Sequence, residues 1–278
     1  MNFNMDEAWS RAIDLIKDSF QLLAIIAAVF ILLPTVGLYL LMPDLAALAE
    51  PGADPELVLQ GFQENLAPIL TVSLLALIVQ FAGYGAIIAM IGGGRPTVGE
   101  AIATGFKVTP STLAVLVLYF LLYFLAAFVV IVPFALIGGV LGAAGAFAGL
   151  LAVFPVLFVS AYLAARLSMS LPVLVLEKTL NPFAAMLRSF KLTHKRQWSI
   201  LIFWSILFVV YVVIALLFSG GFSVLAALAG GGTATALILG IANGLMGMAS
   251  GMILCGLAVA IFGQLRGPDE DEVTSVFE

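Results

Sequence analysis

Long apolar runs alternate with short polar segments along the whole chain. A helix needs about 20 apolar residues to cross the hydrocarbon core of a bilayer. Six runs reach that length: Phe20–Met42, Pro68–Ile91, Pro110–Leu136, Gly145–Leu171, Gln197–Phe218 and Ala236–Phe262. The segments ahead of the first and fifth runs carry a helical amphipathic period instead. Trp9, Ile13, Ile16 and Phe20 form one stripe. In Asn181–Gln197, the residues Phe183, Met186, Leu187, Phe190 and His194 share a face, opposite Arg188, Lys191, Lys195 and Arg196. Asp6-Glu7 and Asn181-Pro182 supply start signals. Such helices lie in the membrane interface with their apolar side in the acyl boundary, pack under the bundle, or do both. Pro133 and Pro172 predict kinks or early ends in their spans.

The pattern repeats. GEAIATGFKVT (Gly99–Thr109) aligns with FAAMLRSFKLT (Phe183–Thr193) at an offset of 84, with Ala101/Ala185, Phe106/Phe190, Lys107/Lys191 and Thr109/Thr193 identical. A weaker copy starts at Asp6-Glu7-Ala8, matching Gly99-Glu100-Ala101. Each copy precedes a pair of apolar runs. The predicted fold class is therefore all-α: a polytopic membrane protein of six transmembrane helices, in three repeats of interfacial amphipathic helix plus transmembrane hairpin. The repeats fall at about 1–92, 93–178 and 179–264 of a single membrane domain (1–264), followed by an acidic tail over 265–278.

Composition narrows the class. The chain is 63% hydrophobic and 10% charged, against about 45–50% and about 25% in soluble domains. A soluble globular enzyme, a disordered chain and a nucleic-acid binder are all excluded. Charge placement then gives orientation. Five acids and no base lie between the first two runs (Asp44, Glu50, Asp54, Glu56, Glu64). The third–fourth and fifth–sixth connections also lack Lys and Arg, so all 11 basic residues fall in or beside the remaining connections and the termini. This positive-inside pattern places both termini in the cytoplasm. The acidic N-terminus lacks a cationic leader and a clear cleavage site, so the first run reads as a retained span. The expected location is the bacterial cytoplasmic (inner) membrane.

Chemistry is sparse. One cysteine (Cys255) and one histidine (His194), far apart, give no disulfide, no metal cage and no Cys–His pair. No HExxH, nucleophile–base pair or paired intramembrane carboxylates occur. Gly92-Gly93-Gly94 lacks the Lys-Ser/Thr of a phosphate loop. No catalytic residue, cofactor or metal is predicted, and the chain is expected not to be an enzyme. Polar residues inside spans are the default candidates. Gln80, Arg166 and Asn243 fall in the even-numbered spans, which predicts that those spans face inward. Arg166 either snorkels from the end of the fourth span or, matched to Ala82 by the repeat, lies deeper and needs a partner. Glu177 is about 16 Å away along a continuous helix, so pairing with Arg166 requires a break at Pro172. Arg188, Lys191, Lys195 and Arg196 serve the positive-inside rule and attract anionic lipid at about 1 kcal/mol each. Glycines at 240, 244, 247 and 251, and at 138, 142 and 149, line helix faces that allow tight internal packing, a homo-oligomer seam or a membrane-protein partner.

Arg166, the Pro172-to-Glu177 exit and the stretch NPFAAMLRSFKLTHKRQWSILIF together resemble a bacterial family. The chain is similar to the membrane domain fused to some glycerophosphoryl diester phosphodiesterases, and to related six-span inner-membrane proteins. In the fused members, the resemblance implies, catalysis belongs to a separate soluble barrel with acidic and His metal ligands. This chain has one His and no such barrel, so phosphodiesterase activity does not transfer. The expected function is a non-enzymatic membrane module that binds phospholipid or supports the envelope. Gln80, Arg166, Glu177 and the basic residues of 188–196 are its candidate lipid contacts. The alternatives are a small transporter or permease subunit, with a cavity between spans two, four and six, and an accessory subunit of a membrane complex.

Overall fold

Asn4 starts the first helix: its Oδ1 accepts the backbone N–H groups of Asp6 and Glu7 at 3.0 and 3.3 Å, capping α1 (Met5–Asp18). The computed structural model describes residues 3–42, 55–94, 96–141 and 145–266. Ser19 separates α1 from α2 (Phe20–Ala27), which continues through a π-helical stretch, Ala28–Leu32, into α3 (Leu33–Leu41). Pro34 has no N–H for the Phe30 carbonyl, and the wider π turn just before it absorbs the mismatch. Then come α4 (Pro55–Glu64), α5 (Leu66–Ile91), α6 (Val98–Leu141), α7 (Gly145–Leu167), α8 (Ser170–Leu176), α9 (Pro182–His194), α10 (Gln197–Leu228) and α11 (Gly232–Arg266). Among the described residues there is no strand. Six segments among the described residues are long and apolar enough to span a membrane: Phe20–Leu41, Leu66–Ile91, Val98–Gly139, Gly149–Leu176, Gln197–Leu228 and Gly232–Arg266. The chain is an all-α multi-pass membrane protein.

Two boundaries differ from the sequence expectation. The amphipathic segment Gly99–Thr109 is not a separate helix; it is the first quarter of α6, which passes through Pro110 and Pro133 without ending. A capping box starts it. The Thr97 N–H donates to Glu100 Oε2 at 2.8 Å and the Glu100 N–H to Thr97 Oγ1 at 3.3 Å. In an apolar surround, ending a helix exposes carbonyls that no water can satisfy, and continuing past a proline forfeits fewer bonds. The break expected at Pro172 lies one turn earlier, at Ser168–Met169. Pro172 cannot donate to the Ser168 carbonyl and its ring crowds it. The Ser168 hydroxyl meanwhile satisfies the Ala165 carbonyl at 2.7 Å. The chain then leaves α8 through Lys178, at φ +52°, and Asn181 caps α9 by accepting from the N–H groups of Phe183 and Ala184.

The contacts group into two compact units. One holds Pro110–Leu207, Phe3 and the end of α11 from Phe262; the other holds Asn4–Thr109 and Phe208–Ile261. In the first unit Ala165, Ile200 and Leu201 form a buried cluster against Phe3, Ala161, Tyr162 and Trp204. Tyr162 donates to Gln197 at 3.0 Å beside Phe158 and Trp198, an aromatic group of the kind found at membrane boundaries. In the second unit the glycine face of α11 is filled from the same chain. A Cβ at Gly240 would meet Val36 and Tyr39, at Gly244 Leu32, at Gly247 Ile31, and at Gly251 Ile31 and Tyr84. Gly149 of α7, by contrast, has open space around it.

One docking recurs three times. The face of each amphipathic segment that packs is its small-residue face: Ala8, Ala12 and Ile16; Ala101, Gly105 and Thr109; Ala185, Ser189 and Thr193. Gly105 lies on the Ala82 carbonyl and the Ala86 amide of α5. Ser189 Oγ donates to the Arg166 carbonyl of α7 at 2.7 Å. Gly256 of α11 meets the Ala12 carbonyl and Ile16 of α1, with the small residue now on the span. Each amphipathic segment thus sits on the second span of a repeat, and α1, at the start of the chain, sits on the last. Of the expected apolar stripes, Ile16 and Met186 are buried, whereas Trp9, Phe20, Phe183 and Leu187 turn outward and are exposed, the acyl-boundary placement that the period also allowed. Sequence reading merged two faces that the fold keeps apart, one for packing and one for the acyl boundary.

In each consecutive pair the even-numbered span is the more buried, at 44% against 28%, 22% against 6% and 50% against 17% of the most apolar stretch. Of the polar residues behind the inward placement, Arg166 is buried and Gln80 half-buried, but Asn243 is exposed. The expected features at Asp44, Glu50, Asp54, Arg95, Gly142 and Asp269–Glu272 lie outside the described residues.

Candidate functional site

Arg166 occupies the last turn of α7, and its burial comes from α9. It is 6% exposed, so it does not snorkel into water, although it sits at the helix end. The inner face of α9 closes over it. Arg166 Nη1 donates to Thr193 Oγ1 at 3.0 Å, and the Thr193 hydroxyl donates in turn to the Ser189 carbonyl at 2.8 Å. The guanidinium carbon lies 4.9 Å from the centroid of the Phe190 ring, within cation–π range. Nε is buried and has no hydrogen-bond partner. Among the described residues no carboxylate pairs with Arg166. A guanidinium carries five donors and cannot shed its proton. The site is therefore a fixed positive charge, held by one neutral acceptor and a ring face, with Nε unpartnered.

Glu177 goes elsewhere. It pairs with Arg188 Nε at 3.0 and 3.3 Å across the loop between α8 and α9. That loop is also held by Ser111 Oγ, which donates to the Leu180 carbonyl at 2.6 Å. The Glu177–Arg188 pair is partly exposed, and such pairs contribute about 0–1 kcal/mol. Glu177→Gln is accordingly expected to lower thermal stability in detergent by no more than a degree or two. A larger loss would mean that the pair holds α9 down on Arg166.

The other predicted residues divide. Lys191 and Lys195 are exposed and Arg196 is half-buried. His194 is exposed rather than packed with Phe190. Gln80, half-buried in α5, and Asn243, whose Nδ2 donates to Leu239 of its own helix at 2.9 Å, belong to the other compact unit. Sequence reasoning missed Thr193, Ser189 and Phe190 as partners of Arg166. Their signal was the repeat itself: Thr109 and Thr193, and Phe106 and Phe190, are matched pairs, and Ala82 is matched to Arg166. It also missed Ser170, whose hydroxyl is buried without a partner, and the buried indole N–H of Trp204. Among the described residues no group of three or more His, Cys, Asp or Glu could hold a metal.

Fold and site together define the class: an all-α multi-pass membrane protein with a buried, carboxylate-free arginine under an amphipathic helix. Compared with known protein families, curated proteins and solved structures, the chain matches none.

Proposed function

We propose that this chain is a non-enzymatic module of the bacterial cytoplasmic membrane that binds a phospholipid, with Arg166 on the lipid phosphate and both termini cytoplasmic. The observation that carries the reading is the charge at Arg166. Burying an ion costs several kcal/mol unless it is paired, and the fold does not need one here. Position 82, its repeat counterpart, carries the same docking with an alanine. Phosphate is the ligand that a planar guanidinium engages best. The outer faces of α9 fit the same reading. Phe183 and Leu187, 62% and 63% exposed, lie on the acyl side, and Lys191 and Lys195 are free to meet anionic headgroups.

Native mass spectrometry from mild detergent tests it, wild type beside Arg166→Ala. Wild type is expected to retain one phospholipid of one class per chain, and the variant none. A bare wild type, or equal retention by both, overturns the reading.

A further inference from the structure

Two side-chain donors flanking the α7–α8 break are buried without an acceptor: Arg166 Nε and Ser170 Oγ, on residues 6% and 2% exposed. Four residues separate them. Met169, between them, keeps right-handed helical dihedrals (φ −88°, ψ 0°). Arg166 and Ser170 are therefore about one turn apart along the chain, on either side of the break. One acceptor with several oxygens can bridge that distance. The hydroxyl is not spent locally, as the hydroxyls of Ser168 and Ser189 are, on the Ala165 and Arg166 carbonyls. An unsatisfied buried polar group destabilises a fold, and Ser170 has an obvious silent replacement in alanine.

We infer that Ser170 is a second binding residue of the Arg166 site, its hydroxyl donating to an oxygen of the phosphate that Arg166 holds. The inference rests on the phosphate reading of Arg166 and adds the recognising group. The ligand chemistry is a phosphate ester or inorganic phosphate, an anion whose several oxygens can accept from both donors. Thr193 and Phe190 cover the guanidinium, so the phosphate reaches Nε and Ser170 only as that cover yields, while the Ser189 bond to the Arg166 carbonyl keeps α9 docked.

The test uses the full chain, delipidated in detergent, with thermal unfolding read against added phosphatidylglycerol, diacylglycerol or inorganic phosphate. Wild type is expected to gain stability with phosphatidylglycerol and not with diacylglycerol. Ser170→Ala is expected to leave the ligand-free Tm unchanged or raised, because it deletes an unsatisfied hydroxyl, and to weaken phosphatidylglycerol binding by about tenfold, one charge-assisted hydrogen bond. A ligand-free Tm lowered by several degrees would show that the hydroxyl already has an internal partner, and overturns the inference. Binding equal to wild type in Ser170→Ala, with binding lost in Arg166→Met, overturns the role of Ser170 and leaves the lipid reading standing. Wild-type binding in Arg166→Met overturns both. A shift produced by inorganic phosphate alone, and weakened in Ser170→Ala, keeps the site and its two donors but moves the ligand from a lipid headgroup to soluble phosphate.

Discussion

Gly105→Ala is expected to cost this protein about 2 kcal/mol or more of stability, although Gly→Ala inside a helix ordinarily gains about 0.5–1 kcal/mol. The reason is what the new methyl meets. At Gly105 it would fall on the Ala82 carbonyl oxygen and carbon and within 2.9 Å of the Ala86 amide nitrogen. These are backbone atoms of a neighbouring helix and cannot rotate away. Overpacking of this kind costs about 1–3 kcal/mol where side chains can yield, and here relief requires moving the amphipathic part of α6 off α5. Gly99 supplies the control. It lies in the same helix with open space around it, so Gly99→Ala should be neutral or stabilising. Unfolding of the two variants in a fixed detergent, followed by circular dichroism, separates the cases. Equal stability of Gly105→Ala and wild type would show that the docking is looser than the backbone contact implies.

The same contact explains what could and could not be read from sequence. Six spans were legible because lipid imposes a length and a continuous apolar character that few other structures share. The repeat was legible because Phe106/Phe190, Lys107/Lys191 and Thr109/Thr193 are identities at one offset. The packing face of the amphipathic segments was not. A hydrophobic stripe predicts burial in a water-soluble helix, but lipid is as apolar as a protein interior, and association relies on close approach of small residues. Ala8, Ala12, Ala101, Gly105, Ala185 and Ser189 are buried for that reason, while Phe183 and Leu187 remain exposed. The fate of Arg166 followed from the same rule. Its carboxylate partner was sought along the chain at Glu177, whereas its cover came from Thr193 and Phe190 on the docked helix. Pro172 was correctly a point of weakness, but a proline acts on the carbonyl four residues back, so the break lies at Ser168.

The second large effect concerns the arginine and its cover. Thr193→Val keeps the shape of the side chain and removes the oxygen that accepts from Arg166 Nη1 at 3.0 Å. The buried guanidinium then loses its one side-chain acceptor, and Nε is already unpartnered. A hydrogen bond to a charged group contributes about 1.5–3 kcal/mol, and leaving a buried charge uncompensated costs about 3–5 kcal/mol. Thr193→Val in the ligand-free protein should therefore lose about 2–4 kcal/mol. Arg166→Met removes the charge while keeping a long apolar side chain against Phe190, and by itself should be close to neutral in that state. The informative variant is the double one. With no charge left to satisfy, Thr193→Val added to Arg166→Met should cost little, so the two changes are strongly non-additive and the double variant recovers most of the stability that Thr193→Val alone loses. Additive losses across the cycle would mean that Arg166 and Thr193 stabilise the fold independently. Arg166 would then be a structural part of the α7–α9 docking rather than a charge that the fold tolerates for the sake of a ligand.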